Sequence, residues 1–191
     1  MVEGRRPRGK SVRDAAAHDL AGAGGQDAPI EIAGYDSAWP ARFDSERMRL
    51  VPLLPGAEIH HIGSTAVPGM PAKPVIDLMA LVDDLDAPIA ALIELGAYQY
   101  PEAFNATLIH RRWLCRPTAA HRTHHLHLVD EHAELQRHLR FRDRLRANGP
   151  LRDEYATLKR ELARRLGGDR EAYSEAKSAF IGALQKERRP A

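Results

Sequence analysis

With 191 residues, the chain can form one domain with a substantial core and is too short for a comfortable second one. Its 28 basic and 26 acidic side chains leave a formal net charge of +2, so composition gives no support for bulk nucleic-acid binding. The single cysteine, Cys115, excludes an internal disulfide and a cysteine-based zinc cluster, and no apolar run reaches the length of a membrane span. Without an apolar signal core at the N-terminus, the expectation is a cytoplasmic protein with no membrane association. Only five of the basic residues are lysines. An arginine excess suits bidentate carboxylate and phosphate contacts, and it is equally the bias of a GC-rich genome.

In chain order, residues 1–29 are rich in Arg, Ala, Gly and Asp and lack a periodic apolar face, which reads as a flexible tail. A single domain is expected over 30–188, divided into a sheet core (30–130) and a helical cap (131–188). Residues 30–35 read as a short edge strand. Ser37 offers an N-cap to a helix over 38–54, with Trp39, Phe43, Leu50, Val51 and Leu54 near one face and Pro52 and Pro55 ending it. A strand over 58–62 leads into a Gly- and Pro-punctuated loop, 63–73. Residues 74–82 then read as a central strand, apolar on both faces except for Asp77.

Asp83 and Asp84 read as the cap and first turn of a helix to Leu95, with Leu85, Ile89, Leu92 and Ile93 inward and Gly96 as its stop. Strands are expected over 97–100, 106–116 and 122–129. In the last of these, alternation sends Thr123, His125, His127 and Val129 to one face. The period then becomes helical. One helix covers 132–147 and stops at Asn148-Gly149; a second is opened by Pro150 and stopped by Gly167-Gly168; a third is capped by Asp169, with Tyr173, Ala176, Phe180, Ile181 and Leu184 inward. Mixed strands and helices followed by an all-helical third indicate an α+β (α/β-like) fold with a helical cap.

A carboxylate inside an apolar strand is costly to desolvate unless a cation or hydrogen-bond donors meet it. Asp77 is therefore the first candidate, either as a ligand to a divalent ion or as an acceptor for loop amides around Gly63 to Thr65. Gly63 permits a sharp turn and close approach to a ligand, and the hydroxyls of Ser64 and Thr65 can meet phosphate oxygens. Lys73 is either a phosphate-neutralising point charge or a solvated loop lysine. His125 and His127, spaced two apart on a strand, can reach one metal or ligand, or serve as ordinary hydrogen-bonded groups. No phosphate loop of the GxxxxGK[ST] type, dinucleotide fingerprint or GxSxG elbow is present. Cys115 reads as buried packing.

The segments IHHIGSTAVPGMPAKPVIDLMALV, RTHHLHLV, HLRFRDRLRANGPLRDEYATLKRELA and DREAYSEAKSAFI, in this order, closely resemble the GrpB family. These small bacterial proteins are assigned to the nucleotidyltransferase-fold superfamily and also occur fused to dephospho-coenzyme A kinase. The resemblance covers 30–186. It implies a nucleotidyltransferase-like mixed sheet with flanking helices and a C-terminal bundle of about three helices. The superfamily pattern is a Gly-Ser pair, then a strand with two carboxylates one residue apart, then a third carboxylate on a neighbouring strand. Gly63, Ser64 and Asp77 match it; Met79 stands at the second carboxylate, and the neighbouring strand offers His125 and His127.

In the helices, Arg140, Arg142, Asp143, Tyr155, Lys159, Tyr173 and Lys177 match charged or aromatic family positions. Tyr155 with Lys159, and Tyr173 with Lys177, each stand four apart, so each helix can present a hydroxyl and an ammonium to one side. They would line the far wall of a nucleotide or acidic-substrate pocket, or serve in helix packing with salt bridges to Asp143 and Glu154.

The leading expectation is a protein that binds a nucleoside triphosphate or another phosphorylated metabolite. Asp77 and Lys73 would be catalytic; Gly63, Ser64, Thr65, Lys73, Arg140, Tyr155, Lys159, Tyr173 and Lys177 would bind ligand; Asp77, His125 and His127 would hold Mg²⁺ or Mn²⁺ for nucleotidyl transfer to a small acceptor. The alternatives are a non-catalytic module that serves a partner enzyme, for example in coenzyme A biosynthesis, and a histidine-carboxylate metal hydrolase. Oligomeric state is not fixed by the sequence.

Overall fold

The computed structural model describes residues 30–186; the expected tail and the side chain of Leu184 lie outside the described residues. The elements are α1 (Trp39–Leu50), β1 (Glu58–Ile62), a 3₁₀ turn (Ser64–Ala66), β2 (Ile76–Leu81), α2 (Ile89–Glu94), α3 (Glu102–Asn105), β3 (Arg111–Pro117), β4 (Arg122–Val129), α4 (His132–Ala147), α5 (Gly149–Leu166) and α6 (Arg170–Lys186). The four strands form one mixed sheet in the order β1-β2-β4-β3. β2 and β4 pair in parallel at its centre, with antiparallel β1 and β3 at the edges. The architecture is the α+β class expected above.

Alternation along β2 sorts the core into two layers. Ile76, Leu78 and Ala80 face α1 and α2, in one apolar cluster with Trp39, Leu50, Leu92 and Leu126. On the other face Met79 packs with Ile62, Val129 and Leu135 of α4. Asp77 shares that second face, and the parallel register sets it beside His125. The three C-terminal helices close over this side. Phe141, Tyr155 and Phe180 pack with Val67 and Met70 of the loop that follows the 3₁₀ turn.

Several boundaries differ from the sequence reading, each for a local reason. Residues 30–35 form no strand: Ala33 exchanges two backbone hydrogen bonds with Ala72, while Ile30 is buried against Leu162 and Tyr173. Asp36, rather than Ser37, meets the start of α1, its Oδ1 accepting from the Ala38 amide at 2.8 Å, and the helix ends at Leu50 rather than Leu54. Asp84 accepts from the amides of Asp86 and Ala87, which closes a turn, so α2 begins only at Ile89, and Ile93 is 44% exposed rather than inward.

Residues 97–100 contribute a single bridge, Gln99 to Cys115. The strand expected over 106–116 begins at Arg111, because buried Asn105 ends α3. Its amide nitrogen donates to the carbonyls of Pro101 and Trp113, and its Oδ1 accepts from the Trp113 amide. The C-terminal helices follow their caps: Asn148 Oδ1 accepts from Leu151 N and Asp169 Oδ1 from Ala172 N. Cys115 is buried and free.

One buried charge ties α1 to the sheet. Glu46 is 3% exposed and accepts from Tyr98 Oη at 2.8 Å, Arg49 Nη1 at 3.1 Å and Arg116 Nη1 at 2.5 Å. A buried carboxylate left without such donors would be strongly unfavourable. Replacing Glu46 by Gln keeps the shape and removes the charge, which is expected to lower unfolding free energy by about 1.5–3 kcal/mol. Urea denaturation should show a lower midpoint with an unchanged slope.

Candidate functional site

Asp77 leaves β2 near the strand's start, with its side chain 27% exposed. Its Oδ1 accepts from His125 Nδ1 at 2.9 Å. Its other oxygen occupies the space a side chain would need at residue 63: a Cβ built on Gly63 would lie 2.3 Å from Asp77 Oδ2. Gly63 also has φ 70°, in the left-handed region that favours glycine. Two independent constraints thus require glycine there, and its close approach is to Asp77.

The 3₁₀ turn that follows Gly63 divides its hydroxyls between two tasks. Thr65 is buried and engaged, donating to the Val75 carbonyl at 3.2 Å and pairing with His61 Nε2 at 3.1 Å. Ser64 Oγ faces a cavity of about 110 Å³ and accepts from Lys159 Nζ at 2.9 Å. The cavity is lined on the sheet side by Lys73, Asp77 and His125, and on the helical side by Tyr155, Lys159, Tyr173 and Lys177. The structure therefore brings together most of the expected site residues. Gly63 stands behind Asp77, Thr65 lines the cavity while its hydroxyl is taken by Val75 and His61, and Arg140 is exposed and outside the lining.

The helical wall is built from the two pairs spaced four apart. Lys159 Nζ is 4.9 Å from the Tyr155 ring centre and Lys177 Nζ 4.5 Å from that of Tyr173. Lys159 is 3% exposed and also donates to the Pro71 carbonyl at 2.5 Å. Burial first, then the nearby charges of Lys177 and Arg160, lower its pKa to about 7. Burial likewise pushes the Tyr173 phenol up to about 12. Three lysines face one carboxylate across this small space, so it favours an anion.

His127 lies deeper, 4% exposed, and burial followed by Arg111 beside it holds its pKa well below the ordinary value. Arg111 Nη2 stands 2.5 Å from His127 Nδ1. A guanidinium has only donors, so Nδ1 is the acceptor and the neutral ring carries its hydrogen on Nε2. Arg111 was not singled out from sequence. Its signal was available in the β3–β4 register, which pairs Trp113 with His127 and so places Arg111 on the same face two residues along.

Among the described residues, Asp77, His125 and His127 bring ligating atoms within 4.8 Å of one another. Magnesium takes oxygen ligands in an octahedron, and this set offers one carboxylate among imidazoles and lysines, which does not fit it. Met79 stands where the resemblance implies a second carboxylate, and it is fully buried in its apolar cluster. An ion that accepts imidazole suits the donor types better, but it requires a lone pair that His127 presents only on the nitrogen facing Arg111.

Residues 29–187 match the sequence family described as GrpB protein. The chain is 38% identical to a UPF0157 protein of Pseudomonas aeruginosa over 160 residues, covering 81% of this chain and 66% of that one. It is 30% identical over 198 residues to the dephospho-CoA kinase of Mycobacterium bovis, covering 89% of this chain and 49% of the kinase. The matched stretch is thus just under two thirds of the first relative and about half of the second. Among solved structures, the conserved protein GrpB from Enterococcus faecalis superposes with a TM-score of 0.73 at 34% identity, covering 82% and 96% of the two chains.

Gly63→Ala adds a methyl group into Asp77 at positive φ, and is expected to destabilise the fold by at least about 2 kcal/mol, read by denaturant titration. Arg111→Ala frees Nδ1 of His127. Calorimetry should show zinc affinity rising about tenfold or more, the worth of one charge-assisted contact. An unchanged affinity would show that Arg111 does not block the imidazole.

Proposed function

The chain belongs to the GrpB family, and from that premise we propose that its pocket binds the phosphate group of a small phosphorylated metabolite or nucleotide. The observation that carries this reading is the position of Lys159, a buried ammonium beside Ser64, with Lys73 and Lys177 on the same cavity. Burying an ammonium is costly without a counter-charge. Asp77 offsets part of that cost, and a bound phosphate would offset more. At about 110 Å³ the cavity falls below the 300–1,000 Å³ typical of whole-ligand sites. It suits a phosphate group, with the rest of the ligand extending outward.

Nucleotidyl transfer is the reaction that the superfamily pattern implies, and it needs several carboxylates to hold two ions. Met79 and the surrounding lysines favour binding without that transfer. Within this reading, Asp77 fixes the orientation of the His125 ring through Nδ1. Nε2 is buried and has no hydrogen-bond partner among the described residues. The similarity to a protein named dephospho-CoA kinase favours a module that serves a partner enzyme, and makes dephospho-coenzyme A the first organic phosphate to test.

Lys159 has a folded pKa below its unfolded one. Between about 7 and 10.4 the unfolded chain keeps a proton that the folded chain has released. Its contribution to stability therefore rises with pH across that window. A bound anion acts in the opposite sense by favouring the charged amine. Sulfate, which does not titrate in this range, is expected to bind most tightly at pH 6, to weaken as pH rises through 8, and to take up protons on binding at pH 8. Lys159→Met should reduce the affinity about tenfold and flatten the profile. A flat profile in the unaltered chain, or turnover of a nucleoside triphosphate with Mg²⁺, would overturn the reading.

A further inference from the structure

A second and larger cavity, about 340 Å³, shares no lining residue with the lysine pocket and falls within the size range of whole-ligand sites. Its walls differ in kind. From α1 and the segment before it come Phe43, Tyr35 and Asp44; from α4 come Arg142 and Arg146; His61 of β1 also lines it. The Phe43 and His61 rings are parallel within 5° at 4.7 Å. His61 is held neutral, with its pKa lowered to about 4, chiefly by burial.

The two arginines are anchored by backbone and share one acidic partner. Arg142 Nη1 donates to the His61 carbonyl at 2.9 Å, while its Nε and Nη2 meet Asp143. Arg146 Nε and Nη2 both donate to the Ala66 carbonyl, at 2.9 and 2.7 Å. Its Nη1 reaches Asp143 only at 3.5 Å, a weak contact by hydrogen-bond geometry. Burial, then the charge of Arg142, press the Arg146 guanidinium below its ordinary pKa. An anion at this wall would relieve both. Asp44 stands on another wall, 66% exposed, with Arg47 no nearer than 4.0 Å. A compact anion alone would be repelled by it. A ligand with an acidic group at one end and ring N–H donors at the other satisfies both walls, and a flat ring matches the aromatic lining.

We propose that this cavity is a separate binding site for a planar, N–H-bearing ring that carries a phosphate, the chemistry of a nucleoside monophosphate. The phosphate meets Arg142 and Arg146, the ring packs on Tyr35 and Phe43, and its donors meet Asp44. The site is independent of the lysine pocket, and the two proposals stand or fall separately.

The test is calorimetry on the full chain with AMP, GMP, CMP and UMP, and with the four nucleosides. At least one monophosphate is expected to bind, and its nucleoside about tenfold more weakly or not at all, since a charge-assisted contact is lost. Arg146→Gln and Phe43→Leu should each weaken the monophosphate about tenfold. Asp44→Asn, an exposed change that leaves the core intact, should weaken it severalfold or alter the preference among bases. Lys159→Met, which belongs to the other pocket, should leave it within about twofold. Three results would overturn the proposal: no binding by any of the four at millimolar concentration, equal binding of nucleoside and monophosphate, or binding that fails with Lys159→Met and survives both Asp44→Asn and Arg146→Gln.

Discussion

A carboxylate inside a sheet has to be met by donors, and Asp77 is met by His125 across the parallel β2–β4 pairing at 2.9 Å. That pairing sits at the centre of the sheet, so the two side chains are fixed by backbone register rather than by loop conformation. The second oxygen of Asp77 needs the empty space at Gly63. In turn, the sharp backbone at Gly63 delivers Ser64 to the cavity and turns Thr65 inward. The dyad, the glycine and the hydroxyl therefore form one mechanical unit, and the lysines of the helical layer close over it.

The balance of charge around this unit differs from the carboxylate-rich pattern of a metal-dependent transferase site. Such a site collects carboxylates to balance two divalent ions. Here the position two residues after Asp77 is taken by Met79, which fills an apolar cluster beneath α4. A carboxylate there would lose its hydration with no cation facing it. The same face instead gathers ammonium groups from α5 and α6. The charge of this pocket is thus set by its own side chains, and similarity of fold does not carry a chemistry with it.

Much of this was legible in the chain. Period-two alternation identified the face shared by His125 and His127, the lone acid marked Asp77, and spacing of four paired Tyr155 with Lys159 and Tyr173 with Lys177. Asn148-Gly149 as a stop, Pro150 as an opening and Asp169 as a cap located the last helices because such signals act within a few residues; that Asn148 also caps α5 emerges only from the structure. What was not legible depends on distant partners. Glu46 reads as a surface helix residue until Tyr98 and Arg116 are brought to it. Residues 30–35 and 97–100 carry strand-like patterns but meet only one bridging partner each, Ala72 and Cys115, and are otherwise irregular. Arg111 changes the chemistry of His127 through a contact sixteen residues away.

The cavity draws one wall from the sheet side, with Ser64, Lys73, Asp77 and His125, and the other from the last two helices. Ser64, Lys73 and Asp77 are translated well before Lys159 and Lys177, the latter one hundred positions after Asp77. At about 5–20 residues per second, that interval is about 5–20 seconds on the ribosome. Until Lys159 is made, Asp77 lacks the ammonium groups of α5 and α6, and of the three lysines on the cavity Lys73 alone has been made. The cavity therefore has both of its walls only once synthesis has passed Lys177 of α6.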